Sequence, residues 1–258
     1  MRDRTRLLVF VPAAAVIAGF LVAAVVRLPP FGTPVHPYGD RAVAAALARR
    51  TANTVSSVNF DLRALDTLVE ESILFAAVLG STLLLRLARD ERQGRPRSER
   101  ALPSTVLLGL VLLPVALIVG GYFVAHGQLS PGGGFQGGVV LATAVHLAYL
   151  AADYRVLEEV RPLAVLDVAD SLGALSFTLM GLAGLVAGGA FLENVLPLGT
   201  FNEITSGGFV PLLNVAVGVE VGSGLIVLIA HFLDQAVEVT ASEAPADGSR
   251  SPERTDQK

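Results

Sequence analysis

Six blocks of apolar residues run along this chain, and their length is the feature that most constrains its fold. Each block holds roughly 17–25 residues, the number that an α-helix needs to cross about 30 Å of hydrocarbon at 1.5 Å per residue. Blocks of this length exceed what helices of soluble proteins require. We therefore predict an all-α integral membrane protein with about six transmembrane helices, two followed by four. The predicted helices cover approximately residues 7–28, 65–87, 104–125, 135–152, 171–192 and 212–233.

The composition agrees with a membrane protein and narrows the possible functions. Charged residues make up 16% of the chain, against about 25% in soluble domains. The net charge of −4 gives no reason to expect a nucleic-acid partner, and without cysteine there is no disulfide or thiolate metal site. We find no Cys/His cluster, no G-x-S-x-G and no Walker-type lysine. We thus expect no enzyme active site, metal, cofactor or nucleotide.

The arginines predict the orientation in the membrane. With both termini in the cytoplasm, the cytoplasmic segments hold 14 of the 19 Lys and Arg residues. The short loops after the third and fifth predicted helices hold none. We expect a multi-pass protein of the cell membrane with cytoplasmic N- and C-termini.

The spacing of the helices predicts four regions. Residues 1–90 contain two helices and a long outer segment, and residues 91–102 form a basic cytoplasmic linker. Residues 103–235 contain four helices with short outer loops, and the polar tail 236–258 is predicted to be disordered.

A glycine-rich stretch, QLSPGGGFQGGVV, runs from Gln128 to Val140 and matches the spacing G-x-G-x-x-G. A dinucleotide loop needs a preceding strand, but here a membrane helix precedes the stretch and another follows it. We interpret it as a structural loop in which glycines permit close backbone contact. In this interpretation the proline restricts the backbone at the start of the loop and the phenylalanine packs into a partner. The loop residues are Pro131, Gly132, Gly133, Gly134, Phe135, Gly137 and Gly138.

Two ionisable residues lie near the middle of predicted membrane helices. Such groups are costly in a bilayer, from about 2.5 kcal/mol upward, and are often functional. Glu220 either carries protons or remains neutral in a hydrogen bond between helices. His146 is either a proton relay or a neutral residue bonded to a neighbouring helix. The relay interpretation is stronger if the two side chains face each other.

Two further acids, Asp66 and Glu70, lie four residues apart and so on one face of the second predicted helix, with Glu71 turned about 100° away. They either complement the helix dipole at the outer interface or form an entrance for a hard cation.

Small residues at a spacing of four predict faces for helix packing. Such pairs occur in the fifth and sixth predicted helices: Gly184 with Gly188, and Gly218 with Gly222.

The stretch from about 103 to 234 resembles the MnhB/MrpB subunit of multisubunit Na⁺/H⁺ antiporters. The resemblance is carried by HGQLSPGGGFQGGVVLA, by SLGALSFTLMGLAGLVAGGAFLENVLPLG and by SGGFVPLLNVAVGVEVGSGL. It implies other membrane subunits of a Mrp/Mnh-type complex as partners, including large antiporter-like subunits.

The N-terminal part, with FGTPVHP and VNFDLRALDTLVEE, resembles an MbhE-like module, which corresponds to the end of the large MrpA subunit. The family pattern D-x-R-x-x-D-T-x-G-E is kept except that Val69 replaces the glycine. The resemblance implies that Glu70 belongs to an ion path.

Together these resemblances imply a non-catalytic subunit of a Na⁺/proton antiporter complex that contributes to assembly and to the ion path. Two alternatives stay open: a membrane subunit of a redox-driven complex such as a membrane-bound hydrogenase, or a purely structural scaffold.

Overall fold

A computed structural model describes residues 2–28, 32, 36–85, 102–151 and 162–242. Within these ranges all regular structure is helical, which confirms the predicted all-α fold. A π-helical turn, Val58–Leu62, precedes α4. The helices are α1 (Arg2–Val26), α2 (Pro37–Ala48), α3 (Thr54–Ser57), α4 (Ala64–Leu84), α5 (Pro103–Ala125), α6 (Gly134–Ala151), α7 (Leu163–Gly188) and α8 (Val210–Ser242).

Five of these helices, namely α1, α4, α5, α7 and α8, are long and apolar enough to cross a membrane. The fourth predicted span, residues 135–152, corresponds to α6, an 18-residue helix rich in glycine and alanine that is not among the five. The count of six and the cytoplasmic position of the termini remain predictions.

Two helices extend beyond their predicted ends. The sequence predicts a start near Ser171 for the fifth span, yet α7 begins at Leu163. The added part includes Asp170, which is buried against α8, and packing rather than hydropathy accounts for its place in the helix. Helix α8 continues to Ser242, inside the segment 236–258 for which we predicted disorder. Residues 243–258 and most of the predicted linker lie outside the described residues.

The chain divides into two compact units, Met1–Arg41 and Ala42–Lys258. The first unit contains α1, which carries Pro12 and is apolar along its length. The second unit contains α3 to α8, so α4 belongs to the same unit as the four helices that follow the predicted linker. The division therefore falls well before residues 91–102.

Helix α8 lies at the centre of the second unit and packs against α4, α5, α6 and α7. The hydrophobic core follows one side of it, with Leu213, Val217 and Val221 among its buried residues. Phe60 and Phe177 belong to this core, and their ring centroids are 6.3 Å apart. Because lipid tails are as apolar as these side chains, close packing is what holds the helices together.

Glycines make the approach of α6 to its neighbours possible. A methyl group at Gly138 would lie 2.9 Å from the carbonyl oxygen of Gly218 and 2.9 Å from the amide nitrogen of Gly222. On the other side, one at Gly137 would lie 2.8 Å from the carbonyl oxygen of Gly120 in α5. Backbone thus meets backbone on both sides of α6, and no side chain fits between.

The glycines of α7 at positions 184 and 188 have a different neighbour from the one predicted. They contact Glu193 in the loop after α7 rather than another helix. The reason is the left-handed conformation of Gly189 (φ 96°), which ends α7 and turns the chain back along it.

We expect Gly138→Ala to destabilise the second unit by about 1–3 kcal/mol, because the added methyl group meets backbone atoms that have no room to move. The midpoint of thermal unfolding of the purified chain in detergent measures this. Gly121→Ala is the matched control, since the space beside Gly121 in α5 is open. Equal midpoints for the two variants would show that the α6–α8 contact is not tight.

Candidate functional site

Glu220 lies halfway along the central helix and is completely buried. Its neighbour on α7 is Gly173, where a methyl group would lie 2.7 Å from the Glu220 Cβ. The face of α8 that carries Glu220 is opposite the Gly218 and Gly222 face, because two residues correspond to about 200° of rotation. The carboxyl group therefore points toward α4 and α7 rather than toward α6.

The partner of Glu220 is Glu71 of α4, which is only 2% exposed. The two carboxyl groups lie within hydrogen-bonding reach of each other, but neither has a donor to offer when it is ionised. The sequence contained a signal for this position. Glu71 shares the buried face of α4 with Ala64, Thr67 and Val78 at helical spacing.

The predicted acids of α4 lie elsewhere. Asp66 and Glu70 are exposed, and Asp66 pairs with Arg63 one turn before it. Asp66 and Glu70 do share one side of α4, but the side that faces the core carries Glu71. Glu70 still interacts electrostatically with Glu71 because the two are adjacent in sequence.

Asp170 of α7 is the third buried carboxyl group at this level of the fold, and it was not among the predicted site residues. A methyl group at Gly224 of α8 would lie 2.9 Å from its Oδ1. Asp170 interacts electrostatically with both Glu71 and Glu220. The sequence indicates this position by helical spacing. Asp170, Gly173 and Phe177 are three and four residues apart and lie on the buried face of α7.

His146 is half-buried on α6 and lies apart from this cluster. Gly138 contacts α8 at Gly218 and Gly222, and His146 lies eight residues further along α6, or about 12 Å. Since α6 packs on the opposite face of α8 from Glu220, the two predicted relay residues do not face each other.

The glycine loop is fixed by two asparagines. The fully buried Asn214 accepts a hydrogen bond from the amide of Gly134 (2.8 Å) and donates one to the Ser56 hydroxyl (3.1 Å). Asn53 caps α3 and donates from its side chain to the carbonyl oxygens of Gly127 (2.7 Å) and Ser130 (2.8 Å). The loop is thus held by residues from both halves of the chain.

Within the loop, Gly132 and Gly133 have φ near +137°, which favours glycine. Gly133, Gly134, Gly137 and Gly138 are buried, whereas the side chain of Phe135 is exposed. The packing of Phe135 into a partner remains a prediction.

An ion pair lies just before α4, outside the membrane-spanning helices. The Arg49 Nε is 3.4 Å from the Asp61 Oδ2, and the Asp61 carboxylate is 2% exposed. Burial raises the pKa of the Asp61 carboxyl above its ordinary value, by more than the Arg49 charge and a hydrogen bond from Asn194 lower it.

The sequence between residues 104 and 227, which covers most of α5 to α8, matches the model of a domain related to the MnhB subunit of Na⁺/H⁺ antiporters. An uncharacterized protein of Methanocaldococcus jannaschii is 32% identical over 202 residues, which is 67% of this chain and 74% of that protein. Residues 104–227 of this chain form an MnhB-related domain. The match confirms the resemblance of the C-terminal region, while the N-terminal MbhE-like module remains a prediction.

Two solved membrane complexes contain chains of similar fold. One is the membrane-bound sulfane sulfur reductase, an archaeal respiratory complex, with a TM-score of 0.65, 26% identity and coverage of 90% of this chain and 99% of that one. The other is the Mrp complex from Dietzia sp. DQ12-45-1b, with a TM-score of 0.63, 24% identity and the same coverage of this chain. This chain spans only 26% of the Dietzia chain, and the likeness there is one of fold.

We expect Arg49→Gln to destabilise the protein in a pH-dependent way. The buried, ionised Asp61 already costs stability because its folded pKa is raised, and loss of the Arg49 charge raises that pKa further. The added cost in stability is therefore present at neutral pH and fades as the pH falls toward the ordinary pKa of an Asp carboxyl. We expect the free energy of unfolding to fall by about 1 kcal/mol at about pH 7.5, since Arg49 is 41% exposed and its charge is partly screened.

Unfolding midpoints at about pH 7.5 and about pH 4.5 measure this dependence. In an Asp61→Asn background, Arg49→Gln should shift the midpoint equally at the two pH values. A pH-independent effect in the wild-type background would contradict the electrostatic explanation.

Proposed function

We propose that this chain is a non-catalytic membrane subunit of a multisubunit cation/proton antiporter-type complex. The observation that carries the proposal is the MnhB-related match, because it extends over α5 to α8 and includes both the glycine loop and Glu220. The larger antiporter-like subunits of such a complex would supply the transport machinery. This chain would hold them together and contribute part of the path for Na⁺ or protons.

The contribution to an ion path rests on Glu220. Taking an acid into a membrane helix is costly, and such residues commonly mark ion pathways. Glu220 is completely buried, and within the described residues the charged groups that interact with it are acids from two other helices. A purely structural role would be met more cheaply by an apolar residue of similar size.

The exposed apolar faces of the bundle agree with a role in assembly. Leu107, Val111 and Ile118 on α5 are all more than half exposed, and Val186 on α7 is 87% exposed. In a membrane such faces contact lipid or the helices of neighbouring subunits. We place the complex in the cell membrane with both termini of this chain in the cytoplasm, as the arginine distribution favours.

A second candidate is a membrane subunit of a redox-driven complex. The observation that favours it is the likeness to a chain of the sulfane sulfur reductase, which this chain covers almost completely. In that case the redox cofactors would belong to other subunits.

Co-purification distinguishes the two candidates. We expect a chain tagged at its C-terminus and extracted from native membranes in mild detergent to carry large antiporter-like membrane subunits, identified by mass spectrometry. Iron–sulfur subunits in the same complex would favour the redox-driven candidate. Recovery of the chain alone, from a preparation in which other membrane complexes stay intact, would refute both.

We expect Glu220→Gln to lower cation-dependent proton transport of the assembled complex by about tenfold or more, because glutamine fills the same space but carries no exchangeable acid proton. Transport in membrane vesicles measures this, with complex assembly checked on native gels. Glu203→Gln is the control, since Glu203 is exposed in the loop before α8. Normal transport by an assembled Glu220→Gln complex would favour the scaffold alternative.

A further inference from the structure

Carboxyl groups from three helices form a row of electrostatically interacting acids in the interior of the bundle. Glu71 of α4 contacts Glu220 of α8, and both interact with Asp170 of α7. Asp170 lies beside Gly224, which is four residues or about 6 Å beyond Glu220 along α8. It interacts in turn with Asp167, which is exposed one turn nearer the start of α7.

The other end of the row also reaches the surface of the chain. Glu70 is exposed and interacts with the buried Glu71 next to it. The row therefore begins and ends at exposed acids, with Glu71, Glu220 and Asp170 buried between them.

Three carboxyl oxygens of Glu71 and Glu220 lack a hydrogen-bond partner within the described residues. The Oε2 of Glu71 and both oxygens of Glu220 are buried and receive no hydrogen bond from any group in the described part of the chain. Glu220 is completely buried and Glu71 is 2% exposed, and each is aimed at the other. Buried oxygens of this kind are expensive unless a ligand or a proton satisfies them.

The arrangement fits a proton better than a metal ion. Two carboxyl groups in direct contact can form a hydrogen bond only when one of them carries a proton between the oxygens. The charged groups that interact with the pair, Glu70 and Asp170, are acids as well. Within the described residues, moreover, no three acidic or histidine side chains converge closely enough to hold a metal ion.

We propose that Glu71 and Glu220 form a proton-binding site that holds one shared proton between α4 and α8, and that Asp170 passes this proton toward Asp167 at the start of α7. In each step a proton leaves the oxygen of one carboxyl group and binds an oxygen of the next, so total charge is conserved. The site uses Glu71, which lies outside the acids that the sequence pattern singles out. Its role in transport rests on the proposed function, whereas its occupancy by a proton does not.

Infrared spectroscopy of the purified full chain tests the site directly. At neutral pH we expect the wild type to show the carbonyl band of a protonated carboxyl group, shifted in heavy water. The band should shift further when glutamate is labelled with ¹³C, which identifies a glutamate in the wild-type protein without any substitution. It should disappear in Glu71→Gln and in Glu220→Gln, and it should persist in the control variant Glu203→Gln, because Glu203 is exposed in the loop before α8.

Three results would overturn the proposal: no protonated band in the wild type, a band that ignores the glutamate label, or a band that survives both substitutions in folded protein. Loss of the band on addition of Na⁺ at constant pH would also overturn it and identify a cation site. Because these spectra need no partner subunits, they are independent of the co-purification result.

The onward path is tested in the assembled complex. We expect Asp170→Asn to slow proton transport by about tenfold while leaving the infrared band of the Glu71–Glu220 pair in place. Unchanged transport in Asp170→Asn would remove Asp170 from the path.

Discussion

The close approach of α6 and α7 to the central helix α8 is the constraint on which the second unit depends. At Gly138 of α6 and at Gly173 of α7, backbone or Cβ atoms of α8 occupy the space that a side chain would otherwise fill. In a membrane, the hydrophobic effect does not favour contacts between helices over contacts with lipid, because lipid tails are equally apolar. Close packing therefore supplies the attraction between helices. It also removes lipid and water from the faces of α8, and so it creates the environment of Glu220.

An isolated, ionised Glu220 would be costly to bury, and the residues around it in this structure do not include an obvious counter-charge within the described residues. Its neighbours, Glu71 and Asp170, are acids from α4 and α7. Three buried acids that interact from separate helices cannot all be ionised at low cost, which favours the binding of a proton among them. The close helix packing that the glycines permit therefore also brings together the acids proposed to take part in transport.

A second link joins the two halves of the chain at the glycine loop. Asn53 and Ser56 come from the region that resembles an MbhE-like module, and they bond to the glycine loop and to Asn214 of the MnhB-related region. The same region supplies Glu71 to the buried acids. The two resembling segments therefore meet in one unit, and each contributes residues that the other needs for hydrogen bonding.

The sequence by itself determined the all-helical membrane fold and the approximate positions of five long apolar helices, and it singled out the glycine loop as a structural element and Glu220 as a candidate for an ion path. These follow from the length of apolar blocks, from the lack of a strand before the loop and from the cost of an acid in a bilayer. Only the tertiary structure decided which acids meet. Periodicity places Asp66 with Glu70 and leaves Glu71 apart, but it does not say which face of α4 turns toward α8. That choice depends on how four helices pack around α8, and packing selected Glu71 and Asp170 while placing His146 on the far side.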